Sequence, residues 1–335
     1  MAMDTMETLR RLTAAHGVSG NEGEIRNLIR TLAQPYADDI QEDVMGNLIV
    51  HKKGSGPRVL FAAHMDSIGL VATHIDKEGF VQFAPAGGFA VADLLQQRFR
   101  FQNGVTALCC AREDKLSKAT RKDLYLDIGA KDEDEARTML QVGDTAVYDS
   151  TLASMGKTRV TGCYLDNRIG CLALLQALAA VEHPANDLYF VFTVQEEVGT
   201  RGAKPAAFGI DPDYGIAVDV TVPDDVPGSE HEGTAVLGKG AAIKIMDRSV
   251  ICSAPFVEQL KALAKEGEIP FQMDIITCGG TDGGPIRTTR SGVVTGGISV
   301  PCRYTHSALE QCDLNDLEAC VRLIRAVCEK ELARV

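Results

Sequence analysis

The sequence predicts an α/β fold in which a mainly parallel central sheet carries helices on both faces and a small β-rich, barrel-like domain is inserted. Two observations predict it. Apolar strands alternate with amphipathic helices in both the early and the late parts of the chain, which is typical of parallel sheets. Between them, short strands separated by turn residues replace that alternation. We therefore expect a main domain of residues 1–68 and 149–335, and an inserted domain of residues 69–148.

The main domain is predicted to begin with two helices. Leu9 and Leu12 follow helical spacing in the first, and Ser19 with Asn21 is expected to cap the second. Asp313, with Asp316 three residues later, is expected to cap a terminal helix that runs to about residue 332. Further strands are predicted over 47–50, 59–63, 188–194, 214–218, 242–246, 273–276 and 293–299, and further helices over 171–181 and 254–265.

The inserted domain shows the pattern of short antiparallel strands. A turn at Asp76–Gly79 separates its first two strands, and one short helix over 132–140 interrupts the series. The predicted strands of this domain are 70–75, 80–83, 98–101, 105–109 and 124–128. Together they predict a compact β-rich module.

Charge and composition exclude several classes of partner. The 335 residues are 45% apolar and 24% charged, with a formal net charge of −12, so a folded core is expected but a phosphate backbone or an anionic membrane would be repelled. The N-terminal segment is acidic and no apolar run approaches a membrane span, which predicts a cytoplasmic protein. Ten scattered cysteines without C-x-x-C spacing predict reduced, mostly buried thiols.

Polar side chains follow the apolar strands at the points where those strands end. In open α/β sheets, ligands bind beyond the carboxyl ends of the strands, so we expect these groups to converge on one rim. The groups are two imidazoles and five carboxylates: His64, Asp66, Asp166, Glu196, Glu197, Asp219 and His306.

This set of donors predicts metal-dependent hydrolysis. Crowded carboxylates repel one another unless cations neutralise them, and a mixture of imidazole and carboxylate suits Zn, Co or Mn better than Mg or Ca. In His64-x-Asp66, the carboxylate is expected to accept a hydrogen bond from the imidazole. One member of the Glu196–Glu197 pair can coordinate metal while the other acts as a base. Two ions about 3.5 to 4 Å apart can share a water and lower its pKa toward about 7.

Five motifs resemble the tetrahedral aminopeptidases, which are cocatalytic dimetal enzymes that include glutamyl aminopeptidase and proteins labelled cellulase M or endoglucanase. The motifs are Ala-His-Met-Asp-Ser-Ile-Gly at 63–69, Leu-Asp-Asn-Arg-Ile-Gly at 165–170, Gln-Glu-Glu-Val-Gly at 195–199, Ala-Val-Asp-Val-Thr at 217–221 and Arg-Tyr-Thr-His-Ser at 303–307. The resemblance covers nearly the whole chain in order and includes Gly-Gly-Thr-Asp at 279–282. It implies a zinc-peptidase-like fold.

The resemblance also implies a role for each site residue. Asp166, Asp219 and His64 hold one divalent ion, and Asp166, Glu197 and His306 hold the other. Glu196 matches the catalytic base and Asp66 the group that orients His64, and the 166–167 peptide bond is often cis in related enzymes. Gly280, Thr281 and Asp282 are candidate substrate-binding residues, although their glycine-rich segment could serve only as a turn. The resemblance also implies that the inserted domain forms subunit contacts in a hollow dodecamer.

Two places depart from the resemblance. The stretch Leu108–Arg112 stands where many members carry a Lys-Pro-Pro-His-like segment, and Gly283 and Pro285 stand at positions more often occupied by Ala. Neither departure affects a candidate ligand. They bear instead on subunit contacts and on the shape of the substrate pocket.

The leading function is therefore a metal-dependent aminopeptidase acting on short peptides. A related dimetal deacylase or carboxypeptidase is the nearest alternative, followed by a glycoside hydrolase and by a non-catalytic assembly subunit. The segment 233–239 mimics a phosphate-binding loop but lacks the required Ser/Thr at Gly240. The preferred N-terminal residue, the physiological metal and the oligomer size stay open. The remaining histidines are expected to be structural: His16, His51, His74, His183 and His231.

Overall fold

The computed structural model describes residues 3–229 and 233–334. The α-helices of this part are α1 (Thr5–Ala14), α2 (Gly23–Ala33), α3 (Val91–Leu94), α4 (Glu133–Met139), α5 (Leu165–Ala180), α6 (Ala203–Ile210), α7 (Ala254–Glu266), α8 (Gly283–Arg287) and α9 (Leu314–Glu329). The strands are β1 (Asp39–Glu42), β2 (Leu48–Lys52), β3 (Arg58–His64), β4 (Gly69–Ile75), β5 (Val81–Ala86), β6 (Arg98–Phe101), β7 (Thr106–Ala111), β8 (Leu124–Asp127), β9 (Thr145–Tyr148), β10 (Ala153–Met155), β11 (Arg159–Gly162), β12 (Asp187–Thr193), β13 (Tyr214–Thr221), β14 (Ala241–Met246), β15 (Phe271–Ile275), β16 (Val294–Arg303) and β17 (Glu310–Asp313). Single 3₁₀ turns lie at Gln34–Tyr36, Glu113–Lys118 and Arg121–Asp123.

The central sheet has the order β1-β2-β12-β3-β13-β16-β17-β11-β10, and β14 and β15 branch from β16. Its middle is parallel, because β12, β3, β13 and β16 pair in that sense. The strands at the two ends of this order pair antiparallel, and in the branch β14 pairs antiparallel with β16 but parallel with β15. Phe61 and Phe190 stack at the centre of one face with no solvent exposure. This face packs on α1, α5 and α9, and the other packs on α6 and α8. The predicted α/β fold is confirmed.

Between β3 and β10 lies a closed barrel of six strands in the order β4-β5-β8-β7-β6-β9. Its strands run from Gly69 to Tyr148, and Phe99 and Phe101 fill its interior. The predicted barrel-like insertion is therefore present. Because β3 ends at His64 and β4 begins at Gly69, the barrel leaves the main domain directly at the rim of the sheet.

Of the two predicted helix caps, the structure has only the one at Asp313. Helix α2 begins after Glu22 without a side-chain cap, and Ser19 donates its hydroxyl to Asp66 instead. Asp313 does cap α9 by accepting from the amide of Asn315, but Asp316 accepts from two glycine amides of another segment. In both cases a long-range partner outcompetes the local backbone. No helix among the described residues is long and apolar enough to cross a bilayer.

Candidate metal centre and active site

The predicted site residues meet at the carboxyl end of the parallel strands. His64 ends β3, Glu196 and Glu197 follow β12, and Asp219 lies near the end of β13. A cleft of about 420 Å³ opens there. We call the charged side chains that line it the acid–imidazole cluster: His64, Asp166, Glu196, Glu197, Asp219 and His306.

Asp166 lies between the two imidazoles and directs one carboxylate oxygen toward each. Its Oδ1 is 3.1 Å from Nε2 of His64, and its Oδ2 is 3.5 Å from Nε2 of His306. On the outer sides, Asp219 Oδ1 lies 3.5 Å from the His64 nitrogen and Glu197 Oε2 lies 3.0 Å from the His306 nitrogen. The arrangement is a central carboxylate shared by two imidazole–carboxylate pairs.

The ring of His64 is oriented for ligation. Its Nδ1 donates to the backbone carbonyl of Asp66 at 3.2 Å, and because a carbonyl can only accept, the proton of the neutral ring lies on Nδ1. In that neutral form Nε2 would be free to bind a cation lying between it and the carboxylates of Asp166 and Asp219. Burial would lower the pKa of His64, but these carboxylates raise it well above its ordinary value, so Nε2 lies where a positive charge is favoured. The expected bond to the Asp66 carboxylate is longer than a hydrogen bond, since Oδ1 lies 3.6 Å from Nδ1.

The donor set fits a cation. His64, Asp166 and Glu197 each offer one possible ligand atom, and these three atoms lie within 4.8 Å of one another. Glu197 Oε1 is buried without a hydrogen-bond partner. Burial raises the pKa of both Glu197 and Asp219. Burial alone would lower the pKa of His306, but the Glu197 carboxylate beside its ring raises that pKa to about 10. Positive charge is thus strongly favoured between these groups, as at a metal site of mixed nitrogen and oxygen ligands.

Asp66 holds the Glu196–Glu197 turn. Its Oδ1 accepts from the amide of Glu196 at 3.0 Å and its Oδ2 from the amide of Glu197 at 3.3 Å. Ser19 donates to the same carboxylate at 2.6 Å. Asp66 is fully buried, so these three donors fix the two glutamates relative to the end of β3.

Glu196 lines the cleft as a member of the cluster, but it forms no ion pair with either imidazole. Burial raises its pKa well above the ordinary value, and the neighbouring Asp219 acts in the same direction against His64. A carboxyl group in this environment takes up a proton more readily than one in water. That property suits a group that receives a proton and then returns it.

Glu310 is a buried residue of β17 that the sequence analysis missed. Its Oε2 accepts from the amide of Asp166 at 2.9 Å, and its Oε1 accepts from the amide of His306 at 2.8 Å. One carboxylate therefore anchors the backbones of two candidate ligands that are 140 positions apart in sequence. Only the long-range pairing of β17 with β11 and β16 brings it there, so no local signal predicts it.

The start of α5 is built to present Asp166. The 166–167 peptide bond is cis, as the resemblance implies. The side chain of Asn167 donates to the carbonyl of Val218 at 2.9 Å and accepts from the amide of Gly170 at 3.1 Å. These bonds tie the helix start to β13, the strand that carries Asp219.

The candidate substrate residues occupy different positions. Gly280 and Thr281 line the cleft, whereas Asp282 is buried behind it and accepts from the Thr193 hydroxyl at 2.5 Å. Burial raises the pKa of Asp282 to about 7. Their contact with substrate stays a prediction.

The other histidines lie away from the cleft. His16 contacts the Thr145 hydroxyl at 2.8 Å, His51 contacts Asp187 at 2.7 Å, and neither they nor His74 and His183 line it. His231 lies outside the described residues. All ten cysteines are free and eight of them are buried, as predicted. The segment after Gly240 is strand β14, which agrees with the rejection of a phosphate-binding loop.

Comparison with known proteins finds aminopeptidases of similar sequence and structure. A lysyl aminopeptidase of Pyrococcus furiosus is 34% identical over 338 residues, covering 97% of this chain and 96% of that protein. The structure of an aminopeptidase from the archaeon Desulfurococcus kamchatkensis matches with a TM-score of 0.93 at 38% identity, covering 97% of this chain and 94% of that one.

A third similar structure comes from a protein that forms large assemblies. The TET1 peptidase of Pyrococcus horikoshii, which can assemble into a tetrahedron or a large octahedral shell, has a TM-score of 0.87 at 33% identity and covers 97% of this chain and 99% of that one. The M42 glutamyl aminopeptidase family matches residues 46–323, which is most of the chain. The protein is therefore a peptidase, and it belongs to the M42 glutamyl aminopeptidase family.

Proposed function

We propose that the chain is a metal-dependent aminopeptidase that releases N-terminal residues from short peptides with two divalent ions and a glutamate base. The observation that carries the proposal is the central position of Asp166, whose two oxygens face two different imidazoles at 3.1 and 3.5 Å. A carboxylate in this position can bridge two cations. Acidic partners on the outer sides complete two ligand sets.

The contacts support two ligand sets. His64, Asp166 and Asp219 would hold one ion, and Asp166, Glu197 and His306 would hold the other. Zn, Co or Mn suits these nitrogen and oxygen donors. Bound there, the ions would supply Lewis-acid polarisation of the scissile carbonyl and acidify the attacking water.

Glu196 is the proposed general base. Its carboxylate takes a proton from the attacking water and transfers it to the leaving amine, which restores the residue for the next cycle. Burial supports this role by raising the pKa of Glu196. The hydrogen bonds that the amides of residues 196 and 197 donate to Asp66 keep the Glu196 carboxylate at the rim of the cleft. Asp66 acts as a positioning residue that also orients His64 through its carbonyl.

The charge of the cleft favours peptide N-termini over C-termini. Among the described residues that line it there are four carboxylates and no Lys or Arg. Because those carboxylates are the proposed metal ligands and base, the distinguishing feature is the missing cation: a carboxypeptidase needs a cationic group for the substrate's terminal carboxylate, and none of the described lining residues supplies one. This difference favours the aminopeptidase over the carboxypeptidase alternative.

The glycoside hydrolase alternative has less support. The chain contains no Trp, and no Phe or Tyr lines the cleft among the described residues, so a sugar-stacking surface is lacking there. A glycosidase that uses two carboxylates also needs no metal. Survival of activity after chelation would favour this alternative.

The assembly and location are part of the same proposal. The likeness to TET1 of Pyrococcus horikoshii supports a homo-oligomer, with a tetrahedral dodecamer as the expected form. Light scattering should then give about twelve times the 35.9 kDa chain mass. Ten free cysteines suit a reducing compartment, which supports a cytoplasmic location.

The function is tested with aminoacyl p-nitroanilides and short peptides before and after EDTA treatment. We expect hydrolysis from the N-terminus, loss of activity after EDTA, and recovery on addition of Zn²⁺, Co²⁺ or Mn²⁺. Metal content of the same preparations is measured in parallel. Full activity in metal-free protein would refute the proposal, and so would cleavage of peptides only from their C-termini.

A further inference from the structure

We propose that the cleft accepts uncharged aliphatic side chains at the substrate N-terminus, so that leucine-like residues are released in preference to lysine, arginine, glutamate or aspartate. The inference rests on the proposed aminopeptidase function and names its substrate class. It is carried by the wall of the cleft that lies beside the acid–imidazole cluster. Three aliphatic side chains and two threonines contribute to this wall: Val220, Val222, Ile276, Thr221 and Thr281.

The aliphatic part of the wall is held in place by backbone pairing. Val220 lies in β13, one residue after Asp219, and Ile276 follows β15 and pairs with Gly233. Both are buried, whereas Val222 is 37% exposed at the mouth. A side chain that extends from the cluster along this wall therefore meets methyl groups.

The two threonine hydroxyls are already hydrogen-bonded to carboxylates. Thr221 donates to Asp274 Oδ1 at 2.8 Å, and Thr281 donates to Asp247 Oδ2 at 2.9 Å. Each hydroxyl has one proton, and both protons are already used in these bonds. The threonines consequently have no hydroxyl proton left to donate to a substrate carboxylate.

The two carboxylates that accept these bonds, Asp274 and Asp247, also have other partners. Asp274 forms an ion pair with Lys244 at 2.6 Å, with both side chains buried. Asp247 accepts from the amide and hydroxyl of Ser249 at 2.7 Å each, and from the amide of Val250 at 2.9 Å. Both acids are buried, so neither presents an exposed oxygen to a lysine or arginine side chain.

Charged substrates consequently lack partners. Every charged side chain that lines the cleft, among the described residues, belongs to the acid–imidazole cluster that binds the reacting end of the peptide. A substrate ammonium or carboxylate on the apolar wall loses water without gaining a counter-ion among the described residues. A leucine side chain instead removes apolar surface from water.

The test is a panel of Leu, Val, Ala, Lys, Arg and Glu p-nitroanilides with the Co²⁺-loaded enzyme. We expect kcat/KM for Leu to exceed that for Ala by about 10-fold or more, and that for Lys or Glu by about 100-fold. In a separate binding measurement, free L-leucine should raise the melting temperature more than L-lysine or L-glutamate. Equal or greater kcat/KM for Lys or Glu would overturn the inference while leaving the aminopeptidase function intact. Absence of cleavage of every substrate would refute the proposed function itself.

Charge placed on the wall should redirect the preference. Val222→Asp is expected to raise the Lys to Leu ratio of kcat/KM by about 10-fold, and Val222→Lys is expected to raise the Glu to Leu ratio similarly. Val222 is exposed enough to accept either side chain. Val142→Asp is the matched control, because Val142 is 59% exposed and does not line the cleft. Unchanged ratios in both Val222 variants would show that this wall does not contact the substrate side chain.

Discussion

Replacing Glu310 tests whether the geometry of the metal centre depends on a residue that contacts no substrate. Glu310→Gln keeps the size of the side chain but exchanges one acceptor oxygen for an NH₂ donor. The amide of either Asp166 or His306 then faces a donor instead of an acceptor. Because Glu310 is 1% exposed, water cannot replace the lost bond.

The magnitude follows from the number of amides left without an acceptor. A buried polar group without a partner costs about 1–3 kcal/mol, so Glu310→Gln should destabilise the fold by that amount and Glu310→Ala by about 2–6 kcal/mol. Total stability is typically only about 5–15 kcal/mol, which makes the glutamine variant the more informative one. Groups that orient metal ligands typically contribute 10-fold to 100-fold to metal affinity or activity.

The assay combines urea unfolding, Co²⁺ affinity by dialysis with metal analysis, and kcat and KM on a leucyl substrate. Asp316→Asn is the matched control. Asp316 is likewise a buried carboxylate that accepts from two backbone amides, those of Gly238 and Gly240 at 2.7 Å each, but it does not line the cleft. We expect similar losses of stability in both variants and a loss of Co²⁺ affinity only in Glu310→Gln.

Two results would refute this reasoning. Parental Co²⁺ affinity and kcat in a destabilised Glu310→Gln variant would show that the two anchored amides do not control the ligands. An equal loss of affinity in Asp316→Asn would show that general destabilisation, not the anchoring of Asp166 and His306, is responsible.

Three further variants test the catalytic base, its support and an acid-sensitive group. Glu196→Gln should keep its metal and lose about 100-fold to 10,000-fold in kcat, so near-normal turnover in the metal-loaded variant would remove Glu196 from the role. Ser19→Ala removes the 2.6 Å bond to Asp66 and should lower kcat several-fold, by about 1–2 kcal/mol, with KM nearly unchanged; a shift in KM alone would contradict this. Burial, with smaller effects from Arg100 and Arg168, lowers the pKa of His16 to about 4, so the folded state binds fewer protons than the unfolded state below pH 6.5. The neutral His16 ring therefore contributes about 3 kcal/mol to the free energy of unfolding above pH 6.5, and this contribution is lost as the pH falls toward 4. His16→Gln should flatten the measured dependence of the unfolding free energy on pH in that range.

The sequence predicts the parts of the site that depend on local pattern. Strand β3 is an apolar run that ends at His64, and β13 is another that carries Asp219, so the rule that ligands bind at the carboxyl ends of strands places both residues. The same pattern predicts the alternation of helices and strands around them. Resemblance to a family is needed only to pair ligands with ions.

The residues that the sequence does not predict are those whose partners are distant in the chain. The sequence of strand β17 is Glu-Gln-Cys-Asp, which shows neither alternation of apolar and polar residues nor an apolar run. All four residues are nevertheless buried, because β11 and β16 flank the strand. Ser19 looks like a helix cap, but its hydroxyl bonds to Asp66, 47 positions away. Local propensity yields in both places to a tertiary hydrogen bond with a carboxylate, which is the stronger interaction.

The inserted barrel contributes to the site as well as to the predicted subunit contacts. The turn after β5 lies against two candidate ligands: a Cβ at Gly87 would lie 3.4 Å from Cβ of Glu197, and one at Gly88 would lie 3.2 Å from Nδ1 of His306. At Gly87 a side chain would also approach Ile68 to 2.5 Å, and its φ of +90° favours glycine. His306 is the more exposed of the two imidazoles, at 38% of its side chain against 2% for His64, so this turn covers the side of the centre that the sheet leaves open. The insertion immediately after the His64–Asp66 segment is what brings the barrel within reach of it.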